Sequence, residues 1–237
     1  MKTIVVGDTH GRKDWQKISQ QSFDKFVFIG DYVDTHESIT PMEQVENLRE
    51  IIMFKQKNLN KVVLLIGNHD YHYWPTIAER YSGYQPQMRA SFEYEFSEFG
   101  NLFQATYEQD DILFSHAGVT KEWCKNNKID SDGILKEGLT EQINELFEEQ
   151  PRKFGFYGYD PYGDNITQGP FWVRPRSLMK DAVEGYKQII GHTTQNIIYP
   201  RNRNEYKDQF WFIDTLGTSG EYLVIEDDEI KVEKCEK

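Results

Sequence analysis

The sequence predicts an α/β fold, and three observations carry that expectation. Short β-branched or aromatic runs stop five times at Gly or Ser followed by Asp, Asn or His, as buried strands ended by a chain breaker do. Amphipathic helical patterns lie between several of these runs, and in such folds ligands sit beyond the carboxyl ends of the strands. From residue 209 onward the pattern is strand throughout, so the sheet system is expected to be mixed.

In chain order, residues 3–6 lead to Gly7-Asp8, 26–29 to Gly30-Asp31, and 62–66 to Gly67-Asn68-His69. Residues 112–114 lead to Ser115-His116, and Ile189-Ile190 to Gly191-His192. Between the second and third runs, Thr40 and Glu43 form a capping-box pattern with Pro41 at the first helical position. Met42, Val45, Leu48 and Ile52 then recur at helical spacing toward Lys57. A second helix is expected over 134–149, with Leu135, Leu139, Ile143 and Leu146 on one face. Residues 209–213, 222–225 and, after an Asp227-Asp228 turn, 229–233 read as an antiparallel meander. The expectation is one domain over 1–237, with the aromatic-rich stretch 71–110 and the Gly- and Pro-rich stretch 150–176 as cap insertions that set substrate choice.

A chain of 237 residues with 38% hydrophobic content can bury one substantial core. No apolar run approaches the ~20 residues that a membrane span needs. The net charge of −12 opposes non-specific attraction to nucleic acid or anionic lipid, so an anionic substrate needs a local cation. Cys124 and Cys235 are isolated, which makes a reducing, cytoplasmic compartment the default. Residues 2–6 run straight into the motif at Gly7, leaving no room for a secretion signal.

Of six histidines, four lie at strand ends, and His36 and His72 follow such ends by a few residues. A single histidine is more often structural, but four sharing one context with Asp8, Asp31 and Asn68 point to a site. Asp8 and His10 are two residues apart on a turn and can reach one ion. Asp31 has two oxygens and can bridge two. Asn68 adds a neutral oxygen, and His116 and His192 add imidazole nitrogens, a set that suits manganese, iron or zinc better than calcium or Cu(I). Two divalent ions less the charges of Asp8, Asp31 and one hydroxide leave a net positive site, which favours a phosphate dianion.

The blocks Gly7-Asp8-Thr9-His10-Gly11, Gly30-Asp31-Tyr32-Val33-Asp34, Gly67-Asn68-His69-Asp70, Ser115-His116-Ala117-Gly118 and Gly191-His192-Thr193 resemble, in order, the signature blocks of the calcineurin-like metallophosphoesterases. They are most similar to the phosphoprotein-phosphatase branch and its bacterial and phage relatives, which include diadenosine tetraphosphate hydrolases. The resemblance implies two mixed β-sheets packed as a sandwich and flanked by helices. It implies that Asp8, His10 and Asp31 hold a first metal ion, and that Asp31, Asn68, His116 and His192 hold a second, manganese foremost. It further implies that a metal-bridging hydroxide attacks the phosphorus of a phosphomonoester (phosphoprotein, nucleotide or small molecule), while His69, oriented by Asp34, protonates the leaving oxygen. The bare residues also allow Asp34 to be a turn cap. Dinucleoside polyphosphate or phosphodiester hydrolysis by the same constellation is the alternative, and a non-catalytic phosphate-binding module the remote one.

One departure matters for the phosphate grip. The branch usually carries Arg after the second Asp of its second block, where this chain has Thr35 and His36. Arg174, in Trp172-Val173-Arg174, resembles the family's later phosphate-binding Arg, and Asn68 and His36 are the other candidates to touch the phosphate. Tyr71, Tyr73, Trp74 and Tyr84 read first as a small aromatic core and second as a platform for a nucleobase.

Overall fold

The structure, a computed structural model, describes residues 1–35, 37–130, 138–157, 160, 163–202 and 209–235. Its strands are β1 (Thr3–Val6), β2 (Lys25–Phe28), β3 (Val62–Leu65), β4 (Phe103–Gln104), β5 (Thr106–Gln109), β6 (Ile112–Ser115), β7 (Lys187–Ile190), β8 (Pro200–Asn202), β9 (Gln209–Phe212), β10 (Glu221–Glu226) and β11 (Glu229–Lys234). They form two mixed sheets. The first has the order β11-β10-β1-β2-β3-β4, with β1 to β4 parallel and the β10–β11 hairpin joined antiparallel to β1. The second has the order β5-β6-β7-β9-β8, with β6, β7 and β9 parallel and β5 and β8 antiparallel at its edges.

The period of two explains how the sheets pack. Val5, Val27, Ile29, Val63 and Leu65 point toward Ile112, Phe114, Ile189, Trp211 and Ile213 of the other sheet, forming the inter-sheet core. The alternate residues Ile4, Val6, Phe26, Phe28 and Leu64 point outward into a larger cluster with Trp15, Leu48 and Phe96 of the helices. Both faces of these strands are buried, which is why they read as unbroken apolar runs. Each such Phe or Leu contributes about 1.5–3 kcal/mol by leaving water.

The expected carboxyl-terminal meander is corrected. β9 lies in the second sheet, parallel beside β7, whereas β10 and β11 form a hairpin on the first. The reason is burial: Phe210 and Phe212 pack with Leu178 and Ala182 on one face, and Trp211 and Ile213 enter the inter-sheet core on the other. A strand apolar on both faces belongs inside a sheet. The Lys- and Glu-rich β11 suits an edge. Asp227 and Asp228 both take left-handed backbone, the conformation a two-residue hairpin turn requires.

The helices are α1 (Asp14–Ile18), α2 (Pro41–Lys57), α3 (Asn68–Tyr71), α4 (Arg89–Phe99), α5 (Lys121–Asn126), α6 (Leu139–Glu149) and α7 (Pro175–Asp181). The capping box of α2 is present: Glu43 N donates to Thr40 Oγ1 at 3.3 Å and Thr40 N to Glu43 Oε2 at 2.7 Å. Its inner face carries Val45, Leu48 and Ile52 as expected, but not Met42. Met42 is exposed, and the polar Gln44 and Asn47 are buried instead, because Gln44 Oε1 accepts from Asp34 N at 3.0 Å and Asn47 Oδ1 accepts from Trp15 Nε1 at 2.9 Å. In α6, Leu139, Ile143 and Phe147 form the buried stripe and Leu146 is half-buried; Ile134 and Leu135 lie outside the described residues. Residues 71–110 supply α4, β4 and β5, so this stretch closes one edge of each sheet. No helix among the described residues is long and apolar enough to cross a membrane.

Candidate active site

The loops that follow β1, β2, β3, β6 and β7 meet at one place. Local sequence makes this possible through small residues: a Cβ on Gly67 would overlap Asp31 Oδ1, and one on Gly191 would overlap Asp8 Oδ1. His10, Asp31, Asp34 and His192 all hold left-handed backbone, with φ between 46° and 63°. Such conformations cost on the order of 1–3 kcal/mol each and persist where the surroundings impose them. His192 N donates to Asp8 Oδ2 at 3.0 Å, His10 N to Asp31 O at 2.9 Å, and His69 N to Asp31 Oδ1 at 2.8 Å, so each loop is tied to its neighbour.

Three imidazoles are aimed inward by backbone carbonyls. A carbonyl only accepts, so the nitrogen facing it carries the proton: His10 Nδ1 donates to Val33 O at 2.7 Å, His116 Nδ1 to Ile29 O at 3.0 Å, and His192 Nε2 to Trp172 O at 3.1 Å. In the neutral ring the other nitrogen is a lone pair, and each of these faces further acceptors. His116 Nε2 lies 2.9 Å from Asn68 Oδ1 and 3.3 Å from Asp31 Oδ2. His192 Nδ1 lies 2.7 Å from Asn68 Oδ1, and His10 Nε2 lies 3.8 Å from Asp31 Oδ2. Asp8, Asp31 and His116 bring donor atoms within 4.8 Å of one another. Lone pairs pointed at lone pairs repel and a cation among them relieves that repulsion, so the donor set fits a metal, with each imidazole fixed in the tautomer a metal requires.

Electrostatics agree with that fit. Burial, reinforced by Asp214 and Asp31, pushes Asp8 well above the usual carboxylate range. Burial also opposes charge on Asp31, yet the imidazoles around it, His116 first and then His69 and His10, hold it well below that range when they carry a proton. Burial lowers His10, and burial with Arg174 and His116 beside it lowers His192, keeping both rings neutral and their lone pairs available.

His69 stands beside this cluster with Nδ1 3.4 Å from Asp34 Oδ2. Its burial disfavours charge, but Asp31 and Asp34 outweigh that and raise its pKa to about 9. With no divalent ion bound, the cationic donor form is therefore expected up to about pH 9 and lost above it. In protein stripped of divalent ions, NMR titration of the His69 ring is expected to give a midpoint near 9, moving down in Asp34→Asn. A midpoint at the ordinary histidine value in the parent would contradict the geometry.

Arg174 caps α7 and donates through Nη1 to His192 O at 2.9 Å and Thr193 Oγ1 at 3.1 Å, half-buried beside the cluster. His36 lies outside the described residues. Tyr71 and Tyr73 are buried and Trp74 and Tyr84 half-buried, all packed against other rings, so they form the aromatic core rather than an open platform.

Three residues went unassigned in the sequence. Asp70 is wholly buried and accepts from Asp31 N at 2.8 Å, Tyr32 N at 2.8 Å and Gly67 N at 2.9 Å, clamping the β2 loop to the β3 loop. Asp70→Ala would leave three buried N–H groups without acceptors, each costing about 1–3 kcal/mol. A loss of at least about 3 kcal/mol is expected, a fall in Tm of about 10 °C by calorimetry, with Asp70→Asn milder. Asp214, held by Thr194 Oγ1 at 2.6 Å, adds its charge beside Asp8. It follows the run 209–213 directly, without the Gly or Ser that ends the run in the five blocks, so the strand-end pattern did not mark it. His72 is buried against Asp34, with Nε2 2.6 Å from Oδ2; the sequence placed it a few residues beyond a strand end but gave it no role.

Solved structures share this architecture. A mutant of a cold-active protein tyrosine phosphatase superposes with TM-score 0.60 at 17% identity, over 99% of this chain and 80% of that one. The cold-active protein tyrosine phosphatase of a psychrophilic Shewanella species gives TM-score 0.57 at 16% identity with the same coverage. At that identity the likeness concerns the fold. A search of curated proteins returns no match. The profile of the family described as calcineurin-like phosphoesterase matches residues 1–195, a stretch that carries Asp8, His10, Asp31, Asn68, His69, His116 and His192. By that match, and by a metal-competent centre built from the same blocks, the chain belongs to the calcineurin-like phosphoesterases.

Proposed function

We propose that the chain hydrolyses phosphomonoesters with two divalent ions. Asp8, His10 and Asp31 would hold one, and Asp31, Asn68, His116 and His192 the other. Manganese suits this oxygen-and-imidazole set, and iron and zinc are the alternatives. The observation that carries the reading is the meeting of three imidazole lone pairs with the oxygens of Asp31 and Asn68, an arrangement that a cation relieves. Ions held there supply Lewis acidity and lower the pKa of a coordinated water.

The chain's own groups would do the rest. His69, with Nδ1 turned to Asp34, delivers the proton of Nε2 to the leaving oxygen. Arg174, held at the rim by His192 O and Thr193 Oγ1, grips phosphoryl oxygens, a task that falls to it because Thr35 stands where the family's earlier Arg would be. The names of the two structural neighbours, protein tyrosine phosphatases, are in keeping with a monoester substrate.

A matrix of divalent ions against p-nitrophenyl phosphate, a phosphotyrosine peptide, bis-p-nitrophenyl phosphate and diadenosine tetraphosphate tests this. Turnover of the first two with manganese, abolished by a chelator, is expected. Turnover of the last two alone would replace the substrate class, and tight phosphate binding without turnover under any ion would leave only a binding module.

A further inference from the structure

We propose that His72 is a positioning residue for His69, acting through Asp34; this rests on the acid role given to His69 above. Asp34 Oδ2 receives two imidazoles, His72 Nε2 at 2.6 Å and His69 Nδ1 at 3.4 Å. The other oxygen, Oδ1, accepts from Tyr73 Oη at 2.7 Å and Gln85 Nε2 at 3.1 Å. The carboxylate is thus surrounded by donors from residues 69–85, and His69 is the donor on the side of the metal ligands.

His72 is built for one direction of hydrogen bonding. Its Nδ1 is buried and has no hydrogen-bond partner among the described residues, so a proton there would have nowhere to go. The proton belongs on Nε2, facing Asp34. Tyr73 and Tyr84 pack edge-on against it at 4.5 and 5.2 Å between centroids, and Tyr81 lies parallel at 6.3 Å. The same segment touches the acid itself, since a Cβ on Gly83 would come within 2.6 Å of His69 Cε1. An apolar side chain would fill this pocket without an unmatched nitrogen. What histidine adds is one N–H aimed at Oδ2, which stops the carboxylate turning about Cβ–Cγ and keeps that oxygen toward His69 Nδ1.

Leaving-group dependence separates this role from simple packing. His72→Leu is expected to lose about 10- to 100-fold in kcat on phenyl phosphate, whose leaving oxygen needs a proton. On 2,4-dinitrophenyl phosphate the loss is expected to be small, with KM and metal content unchanged. His72→Gln, whose amide nitrogen can reach the place of Nε2, should retain most of the rate; the shorter His72→Asn should not. That polar pair gives the same comparison if the Leu variant fails to fold. In a His69→Asn background, His72→Leu should cost nothing more on phenyl phosphate, because its effect passes through the missing acid. Equal losses on both esters, an undiminished loss in the His69→Asn background, or a Gln variant as poor as the Asn variant would overturn the proposal. If His69→Asn alone hydrolysed phenyl phosphate at the parent rate, the failure would lie in the acid assignment, and the role of His72 would fall with it.

Discussion

Asp31→Asn is expected to empty the metal centre and lower phosphoester hydrolysis by roughly 10³-fold or more, the scale of several kcal/mol of metal-derived transition-state stabilisation. Asp31 Oδ1 is held by His69 N at 2.8 Å, and Oδ2 faces His116 Nε2 and His10 Nε2 at 3.3 and 3.8 Å. An asparagine that keeps its oxygen on His69 N turns an NH₂ group to those two nitrogens. Its hydrogens then satisfy the lone pairs that a cation would otherwise occupy, and the shared negative charge is gone. The fold should survive, because the amide relieves repulsion rather than adding it. Metal analysis and thermal shift with manganese decide the matter: the parent should gain stability with added ion and the variant should not. Parent-like turnover with parent-like metal content would remove Asp31 from the centre.

His69→Asn should behave differently, keeping the metal while losing roughly 10² to 10⁴ in rate on esters with poor leaving groups. His69 approaches the cluster through its backbone N–H to Asp31, a contact asparagine retains, whereas the ring is directed to Asp34. The loss should shrink on activated esters, which need no proton on departure. Hydrolysis of activated and unactivated esters at the parent rate would withdraw the acid role. The two variants together separate metal binding from proton delivery, since one should lose both and the other only the second.

The strand-end pattern located the site because it is a local property. An apolar run of four or five residues followed by Gly-Asp or Gly-Asn-His specifies a buried strand, a breaker and a polar tip within one short window. The capping box of α2 was legible for the same reason, as its partners are three residues apart. The meander was not, because a period of two cannot say which sheet a strand joins; β9 went to the second sheet through the burial of both its faces. Spacing placed Val45, Leu48 and Ile52 correctly on the inner face of α2 but also put Met42 there, and it missed Gln44 and Asn47, polar groups that serve the distant Asp34 and Trp15.

By itself, then, the sequence determined the α/β class, the identity and order of the metal-competent residues, and the blocks that mark the family. Tertiary structure alone decided which nitrogen of each histidine faces inward, since that depends on Val33, Ile29 and Trp172 carbonyls 20 to 87 residues away. It also decided that Asp34 is shared between His69 and His72, and that Asp70 holds two loops together. Periodicity and chain breakers act over a few neighbouring residues, whereas a hydrogen bond across the fold exists only once packing has brought its two ends together.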